Sequence, residues 1–448
     1  MDETAKSLNS PPPKQDGAAS QTKINADYAT AAEATKILNV RQQTLYAYVS
    51  RGLIRSISHP SQKGRLYWRD DLKRLQARSL ARHGHGAVAA SAMNCGEPII
   101  PTSITEITAD GPRYRGRLAV DLARARMPFE AVAELLWTGV LDDGLRSWVR
   151  SKPWPALNRL IESSWEIQPG SLLDLFSLVT LHLGSVQVGR KAGRRGNDQA
   201  GEIDMAGAGR EIIQTMIGCC GLISEHRRYV PMTTGQAVSE GILVALAMEV
   251  TDENLECVEA ILILLADHEL SPATFAVRVS ASTGCALHRC IVSGIAASTG
   301  TLTGQLYDRV DKFFDNVATS SALMHKASTL LARGVAVPGF GHPLYPQGDP
   351  RAQYMLALAK RRTKKTLQMT AIYNFIDEIG EKHGLLPRQE LGAVVLTCAI
   401  GLPRHTSGGL ATLARAVGWV AHVQEQCMFG TVLRPRARFV GPPSTSGI

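Results

Sequence analysis

The chain has 448 residues, of which 44% are hydrophobic and 20% are charged. This length predicts two or three domains, and the composition is that of a globular protein, which excludes disordered, collagen-like and disulfide-stapled chains. No apolar stretch approaches the about 18 residues of a membrane-spanning helix, and no apolar signal segment follows the first Met. None of the eight cysteines falls in a C-x-x-C pair. We therefore expect a cytoplasmic protein with no membrane contact, metal or cofactor.

Positive charge is concentrated near the start of the chain. The net charge is +9, and the stretch between Asp27 and Arg82 alone carries +7, from eleven Lys and Arg residues and four acidic ones. A positive field confined to about an eighth of the chain is typical of a protein that binds an anionic partner, and nucleic acid is the leading candidate.

Residues 1–26, with three consecutive prolines and little apolar content, predict a disordered leader. Order is expected from Asp27. Thr30 and Glu33 form a capping box that begins a first helix, which ends near Leu38. A second helix over 41–49 ends at Gly52, where a left-handed backbone carries least strain.

Two strands are predicted next, over 54–57 and 65–68, and a further helix begins at Asp70. Helix, turn, helix, hairpin and helix predict a winged helix-turn-helix domain over 27–82. Its candidate contacts to DNA bases and phosphates are Arg41, Gln42, Thr44, Tyr46, Arg51 and Arg65.

The segments 44–54 (TLYAYVSRGLI) and 64–67 (GRLY) resemble the MerR-like and excisionase DNA-binding modules. The alternative is a small helical appendage whose basic residues form a solvated face. The long dimerising helix that follows the wing in MerR proteins is not evident, so any dimer is expected to form through the body of the protein.

From about His85 onward the pattern is predominantly helical. Residues 128–137, for example, form an amphipathic stretch that Gly139 closes. The basic, glycine-rich segment 189–196 lacks the terminal Lys-Ser/Thr of a P-loop, and we predict that it is a surface loop.

The C-terminal half places His, Arg and acidic residues beside glycine turns in several clusters. Arg351, Arg415 and Arg434 can bind carboxylates through bidentate guanidinium groups, and His268 and His342 can donate hydrogen bonds or transfer protons. The residues suit a small di- or tricarboxylate whose carbonyl must be polarised.

These clusters identify a family. From about Pro98 to Val440 the chain resembles citrate synthase, notably in 113–117 (RYRGR), 135–139 (LLWTG) and 418–422 (GWVAH). The resemblance implies a mainly α, two-domain homodimer that closes over oxaloacetate and acetyl-CoA. It also implies a large domain over 85–303 and 403–440, a small domain over 304–402, and a flexible tail over 441–448.

Matched to the family motifs, His268 binds oxaloacetate and His342 protonates its carbonyl. The resemblance likewise implies that Arg351, Arg415 and Arg434 bind the carboxylates. The backbone that holds the adenine end of CoA corresponds to Ala336, Val337, Pro338, Gly339, Phe340 and Gly341.

Two catalytic positions depart from the family pattern. The His that stabilises the enol of acetyl-CoA is replaced by Thr303, and the Asp that acts as the base corresponds to Glu390. One extra methylene moves a carboxylate by about 1 Å, which costs about 100-fold in rate. The loss of one oxyanion-type donor costs about 10²–10³-fold.

Three hypotheses follow. The first is a citrate synthase-type acyltransferase that condenses acetyl-CoA, or another short acyl-CoA such as propionyl-CoA, with oxaloacetate. The Thr303 and Glu390 departures allow a slow turnover. The second is a DNA-binding transcription regulator whose degenerate body senses oxaloacetate, citrate or acyl-CoA. The third is a pseudoenzyme subunit that forms a heteromer with an active paralogous synthase.

Overall fold

The computed structural model describes residues 28–38, 40–50, 54, 56–58, 64–69, 71–72, 100–151, 155–167, 172–193, 204–301, 305–362 and 366–435. They form two compact units: the described residues up to Ile100, and Pro101–Arg434. The predicted leader and tail lie outside the described residues, as do Arg51 and Thr303.

The described residues of the smaller unit include two helices and a three-stranded antiparallel sheet with the strand order β1-β3-β2. In chain order its elements are β1 (Tyr28–Thr30), α1 (Ala31–Leu38), α2 (Gln42–Ser50), β2 (Ser56–Ser58) and β3 (Arg65–Trp68). A separate hydrophobic core lies between them, built from residues that include Ala34, Leu45, Ile54, Tyr67 and Leu72.

The predicted capping box is present. The Thr30 N–H donates to Glu33 Oε2 (3.0 Å), and the Glu33 N–H donates to Thr30 Oγ1 (3.3 Å). The hairpin strand predicted over 54–57 lies instead at Ser56–Ser58, and β1 was not predicted, because strands of three residues carry too short a pattern. The winged helix-turn-helix assignment stays a prediction.

The larger unit is mainly helical, as predicted. Its helices are α3 (Ala119–Arg124), α4 (Phe129–Thr138), α5 (Pro155–Ile167), α6 (Leu172–Gly193), α7 (Met205–Cys219), α8 (Val238–Ala245), α9 (Asp252–Leu265), α10 (Pro272–Ser282), α11 (Leu287–Ser298), α12 (Leu306–Phe314), α13 (Ser320–Ala332), α14 (Pro350–Arg362), α15 (Leu367–His383), α16 (Gln389–Ala399) and α17 (Thr406–Phe429). No helix of the described residues is long and apolar enough to cross a membrane.

Local predictions in this unit met different outcomes. Helix α4 ends at Thr138, and Gly139 follows it in the left-handed region (φ 81°), as its sequence indicated. The loop prediction for 189–196 is wrong for the first five residues, because α6 continues to Gly193. A small antiparallel sheet was not predicted; its strands are β4 (Thr105–Thr108), β5 (Gly111–Tyr114) and β6 (Arg117–Leu118).

Helix α17 runs through the core of the larger unit and is buried on nearly all sides. Trp419 is fully buried, and the Trp137 indole N–H of α4 donates to the Val417 carbonyl (2.9 Å). A Cβ at Gly294 of α11 would lie 3.0 Å from the Trp419 ring, so this glycine allows α11 to approach α17 closely. The same helix carries side chains into the site described below.

Two carboxylates, Glu130 of α4 and Glu259 of α9, each accept a hydrogen bond from the first residue of a neighbouring helix. Glu259 Oε2 accepts from the Phe129 N–H (2.9 Å), and Glu130 Oε1 accepts from the Val238 N–H (2.7 Å). Burial raises the pKa of Glu130 to about 7. Burial and the nearby Glu130 charge raise the pKa of Glu259 to about 8.

These raised pKa values predict a pH-dependent stability. The folded protein holds these protons more tightly than the unfolded chain, so the free energy of unfolding should fall as the pH rises from about 5 to 8. Glu259→Gln should flatten this dependence and raise stability at pH 8 by about 2–4 kcal/mol. Urea unfolding at pH 5.5, 7 and 8.5 measures it. The exposed Glu249→Gln is the matched control, and a slope unchanged by Glu259→Gln would contradict the prediction.

Candidate active site

A cavity of about 450 Å³ in the larger unit contains much of the chemistry that the sequence pointed to. Residues from α6, α10, α11, α12, α16, α17 and four connecting segments line it: Leu173, His268, Ser271, Pro272, Ala273, Ala297, Ser298, Gln305, Leu306, Tyr307, Asp308, His342, Pro343, Leu344, Arg388, Gln389, Glu390, Gly408, Ala411, Thr412 and Arg415. Apolar walls with a few convergent charged groups are typical of a small-molecule site.

His268 lies in the turn that follows α9. The turn is fixed on one side by the buried Tyr114, whose hydroxyl accepts a hydrogen bond from the Asp267 N–H (3.3 Å). The next residue, Glu269, has a left-handed backbone (φ 51°), and its N–H donates to the Asp267 carboxylate (3.0 Å). The Nε2 atom of His268 lies 3.3 Å from the Tyr345 hydroxyl.

The loop that carries His342 is bound to the segment before α16. The Gly341 N–H donates to the Leu386 carbonyl (2.9 Å), and the Arg388 N–H donates to the Gly339 carbonyl (2.8 Å). Gly339 has φ 82°, and a Cβ there would lie 2.8 Å from the Leu391 Cβ, so this position requires glycine. The two loops therefore hold a fixed distance between His342 and α16.

A local hydrogen bond fixes the tautomer of His342. Its Nδ1 accepts from the Leu344 N–H (3.1 Å), so the proton of the neutral ring is on Nε2. The His268 and His342 rings lie 5.6 Å apart, and Tyr345 contacts both.

Arg351 is fully buried next to this group of rings but does not line the cavity. Its Nε and Nη2 donate to the two oxygens of Asp349 (3.0 and 2.8 Å), and its guanidinium lies 5.5 Å from the Tyr345 ring centroid. The third nitrogen, Nη1, is therefore a buried donor without a partner among the described residues.

Glu390 lies in the first turn of α16, is 3% exposed and lines the cavity. Arg388 pairs with both of its oxygens, through Nε to Oε2 (3.2 Å) and Nη2 to Oε1 (3.3 Å). Asp349 accepts from the Gln389 N–H (3.2 Å), which ties the start of α16 to the Arg351 ion pair.

Arg415 of α17 lines the cavity from the opposite side. Its Nε donates to the Leu265 carbonyl at the end of α9 (3.0 Å), which leaves both Nη groups for a ligand. One turn later, the Gly418 N–H donates to the Ala266 carbonyl (3.2 Å), and His422 lies 3.4 Å from the Asp267 carboxylate. One face of α17 thus positions the turn that carries His268.

Both imidazoles of the cavity are neutral at neutral pH. Burial lowers the pKa of His268 well below its ordinary value, and the charges of Arg351 and Arg415 lower it further. Burial, followed by the Arg351 charge, lowers the pKa of His342. A neutral His342 with its proton on Nε2 can donate a hydrogen bond to a carbonyl oxygen.

A smaller cavity of about 150 Å³ contains the predicted CoA-binding stretch. Its lining consists of Leu306, Arg309, Ala336, Val337, Pro338, Gly339, Phe340, Arg388 and Glu390. Gly341 does not line it.

The structure brings His268, His342, Glu390 and Arg415 to one cavity and buries Arg351 beside it. Arg434 is exposed and does not line the cavity of this chain. Thr303 lies outside the described residues.

Sequence reasoning missed Arg388, which lines both cavities. The signal that was available is a basic residue two positions before a carboxylate that carries a predicted catalytic role.

Among the described residues, Asp308, Asp311 and His405 bring one possible metal-ligand atom each to within 4.8 Å of one another. His405 is exposed, and Asp308 Oδ1 lies 3.3 Å from its Nδ1, which is the geometry of an ordinary surface pair. The prediction that the protein uses no metal or cofactor stays a prediction.

Most of the predicted DNA contacts lie on the surface of the smaller unit. Arg41, Gln42, Tyr46 and Arg65 are exposed and Thr44 is half-buried. The Gln42 side-chain amide donates to the Tyr46 hydroxyl (2.6 Å).

Comparison with known proteins gives consistent results. The family model for the citrate synthase C-terminal domain matches residues 95–436. A citrate synthase of Haloferax volcanii is 31% identical over 192 residues, which cover 42% of this chain and 50% of that protein. A 2-methylcitrate synthase of Mycobacterium tuberculosis is 26% identical over 339 residues, covering 73% and 84%. The citrate synthase of Thermoplasma acidophilum, solved with carboxymethyl coenzyme A and oxaloacetate, matches the fold with TM-score 0.65 and 20% identity, covering 79% and 96%.

Proposed function

Because this chain belongs to the citrate synthase family, we propose that it condenses a short acyl-CoA with oxaloacetate. The observation that carries the proposal is the shared cavity of His268, His342, Arg415 and Glu390. A synthase needs a carboxylate-binding cation, a donor at the ketone oxygen and a base at the thioester, and these side chains supply all three.

In the proposed reaction, the Glu390 carboxylate removes a proton from the carbon next to the thioester. The resulting enolate carbon attacks the ketone carbon of oxaloacetate. As the ketone oxygen gains charge, His342 Nε2–H donates its proton to it, which gives a hydroxy acid still bound to CoA. Water then hydrolyses the thioester to release citrate, or its methylated analogue, and CoA.

The remaining roles concern binding. Arg415 and the free Nη1 donor of Arg351 hold the carboxylates of oxaloacetate, and His268 holds it in place. Arg434 is proposed as a further carboxylate ligand only where the protein assembles with a second chain, as a homodimer or with a paralogous synthase. Closure of a small domain (304–402) on a large one is part of the same proposal.

The acyl group stays open between acetyl and propionyl. The cavity has apolar walls that accept either acyl group, formed by Leu173, Leu306, Leu344 and Ala411. The relatives include both a citrate synthase and a 2-methylcitrate synthase. Thr303, or a water that it holds, is the proposed enol stabiliser, and Thr303→His should then raise turnover.

The test is a CoA-release assay at high enzyme concentration with oxaloacetate and acetyl- or propionyl-CoA. Release that depends on oxaloacetate supports the enzyme. No release above background with either thioester would remove it. Co-purification with a second synthase chain that carries the family's enol-stabilising His would then favour the pseudoenzyme subunit.

Arg415 supports a quantitative prediction. Arg415→Gln removes a bidentate carboxylate grip and should raise the KM for oxaloacetate about 10²-fold, with a smaller effect on kcat. Arg415→Lys keeps the positive charge but loses the two parallel donors of the guanidinium. Its KM for oxaloacetate should therefore lie between those of the unchanged enzyme and Arg415→Gln. Initial rates against oxaloacetate concentration measure it, and a KM within error of the unchanged enzyme would contradict the role.

A second function is proposed for the smaller unit, which has a core of its own and exposes Arg41, Gln42, Tyr46 and Arg65. We propose that it binds DNA and that oxaloacetate, citrate or acyl-CoA adjusts its affinity. A mobility shift of the full chain on genomic fragments should weaken steeply with salt and change with these ligands. If the DNA affinity does not change with any of the three ligands, the sensor part of the proposal is wrong and only DNA binding remains.

A further inference from the structure

The smaller cavity contains one cation that no role above uses. Arg309 lies in α12 and lines this cavity together with residues 336–340. Its side chain has no hydrogen-bond or ion-pair partner among the described residues. A guanidinium in a cavity wall without a carboxylate is a candidate for binding an anion.

The charges of this cavity leave Arg309 unbalanced. Arg388 and Glu390 also line it, and they pair with each other through two contacts of 3.2 and 3.3 Å. The pair cancels, so the net charge of the lining is that of Arg309. An anionic group that enters here meets one free guanidinium and an adjacent stretch of backbone.

The two cavities share a wall, because Leu306, Arg388 and Glu390 line both. In the proposed reaction the thioester lies against Glu390, so this wall offers the rest of the same CoA molecule a direct way into the smaller cavity. The ionised groups of CoA are its phosphates, all at the nucleotide end. A thioester at Glu390 and a phosphate in the smaller cavity would then belong to one CoA molecule that occupies both cavities.

We propose that Arg309 binds a phosphate group of CoA and so contributes to the recognition of the thioester substrate. The proposal rests on the proposed acyl-CoA function and adds a residue to it. Both the 3′-phosphate and the diphosphate present oxygens that a guanidinium binds by two parallel hydrogen bonds. The structure gives Arg309 no competing internal partner in the described residues, so it enters the complex without first breaking an ion pair.

The experiment is calorimetric titration of the full chain with CoA, 3′-dephospho-CoA and pantetheine, without oxaloacetate. Arg309→Gln should weaken CoA binding about 10-fold and leave pantetheine binding unchanged. Arg289→Gln, at an exposed arginine of α11 that lines neither cavity, removes the same charge and should behave as the unchanged protein. Raising the salt should weaken CoA binding to the unchanged protein more than to Arg309→Gln.

The CoA analogues identify the phosphate. If the effect of Arg309→Gln disappears with 3′-dephospho-CoA, Arg309 binds the 3′-phosphate; if it persists, Arg309 binds the diphosphate. Equal CoA affinity of Arg309→Gln and Arg289→Gln, with the unchanged protein still binding CoA, overturns this inference alone. An unchanged protein that binds no CoA overturns the inference, and the proposed function falls with it only if the CoA-release assay is also negative.

Discussion

Glu390→Gln is expected to reduce turnover about 10³-fold with little change in the KM for oxaloacetate. Gln has nearly the shape of Glu, and its carbonyl oxygen can still accept from Arg388, which now contacts both Glu390 oxygens. The cavity should therefore keep its geometry, while the group that accepts the proton from the thioester is lost. Rates of CoA release measure the change, and the exposed Glu381→Gln is the matched control.

Exchange of the acyl protons of acetyl-CoA with D₂O reports the proton-removal step even where overall turnover is slow. Glu390→Gln should abolish this exchange. Glu390→Asp keeps a carboxylate and restores the residue that the family has at this position, so its exchange should stay measurable where that of Glu390→Gln is abolished. Exchange by Glu390→Gln at the unchanged rate would mean that another group is the base.

The Arg388 pair is the new element in this part of the site. The Glu390 side chain is 3% exposed, and its carboxylate pairs with the Arg388 guanidinium, which holds it in one orientation. Its place in the first turn of α16 fixes its backbone as well. The backbone of Arg388 makes a separate contact with the loop of Gly339, whose carbonyl accepts from the Arg388 N–H (2.8 Å). Arg388 therefore holds both the proposed base, Glu390, and the predicted CoA-binding stretch, although the sequence motifs did not identify this residue.

What the sequence could predict of the site depends on local motifs. His342 follows a glycine turn and His268 follows the end of an apolar helix, and both positions are readable from a few neighbouring residues. The structure places them with Arg415 and Glu390 in one cavity, although these residues lie far apart in the chain. The mainly helical body was equally readable, because long amphipathic stretches carry a strong periodic signal.

Contacts between distant segments were not readable in the same way. The local motif did not indicate that the Arg351 guanidinium pairs with the buried Asp349 carboxylate, a partner that it needs because burying a guanidinium without a counter-charge costs several kcal/mol. The Glu130–Glu259 arrangement depends on how the starts of α4 and α8 meet the middle of α9, which no local pattern records. The position of Arg434 was equally unpredictable. Its side chain is exposed, and the local sequence motif does not indicate on which surface of the protein it lies.

Behind His268 lies a chain of buried polar groups that no single motif predicts. His422 Nε2 lies 3.4 Å from the Asp267 carboxylate, and its Nδ1 lies 3.3 Å from Arg278 Nη1. Arg278 donates to Glu425 (2.6 Å), which in turn accepts from the Ser103 N–H (2.7 Å). We therefore expect the charge balance among these buried groups to affect both the stability of the larger unit and the position of the turn that carries His268.

Arg278→Met is expected to lower the free energy of unfolding by about 3–5 kcal/mol, because it leaves the Glu425 carboxylate buried without its cation. Arg278 and Glu425 have 0% and 5% exposed side chains, so water cannot replace the lost partner. The thermal midpoint should fall by about 5–10 °C. Differential scanning and urea unfolding measure the loss, and the exposed Arg289→Met controls for charge and side-chain length.

The double variant Arg278→Met/Glu425→Gln separates the two physical causes. If the loss comes from an uncompensated charge, neutralising Glu425 should restore most of the stability, since a buried ion pair replaced on both sides is often near neutral. The amide oxygen introduced by Glu425→Gln can still accept from the Ser103 N–H, so that hydrogen bond need not be broken. If the double variant is instead as unstable as Arg278→Met, the guanidinium acts through its packing and its bond to Gln426 (3.0 Å). A single variant that unfolds at the unchanged midpoint would show that the buried chain adds nothing to stability.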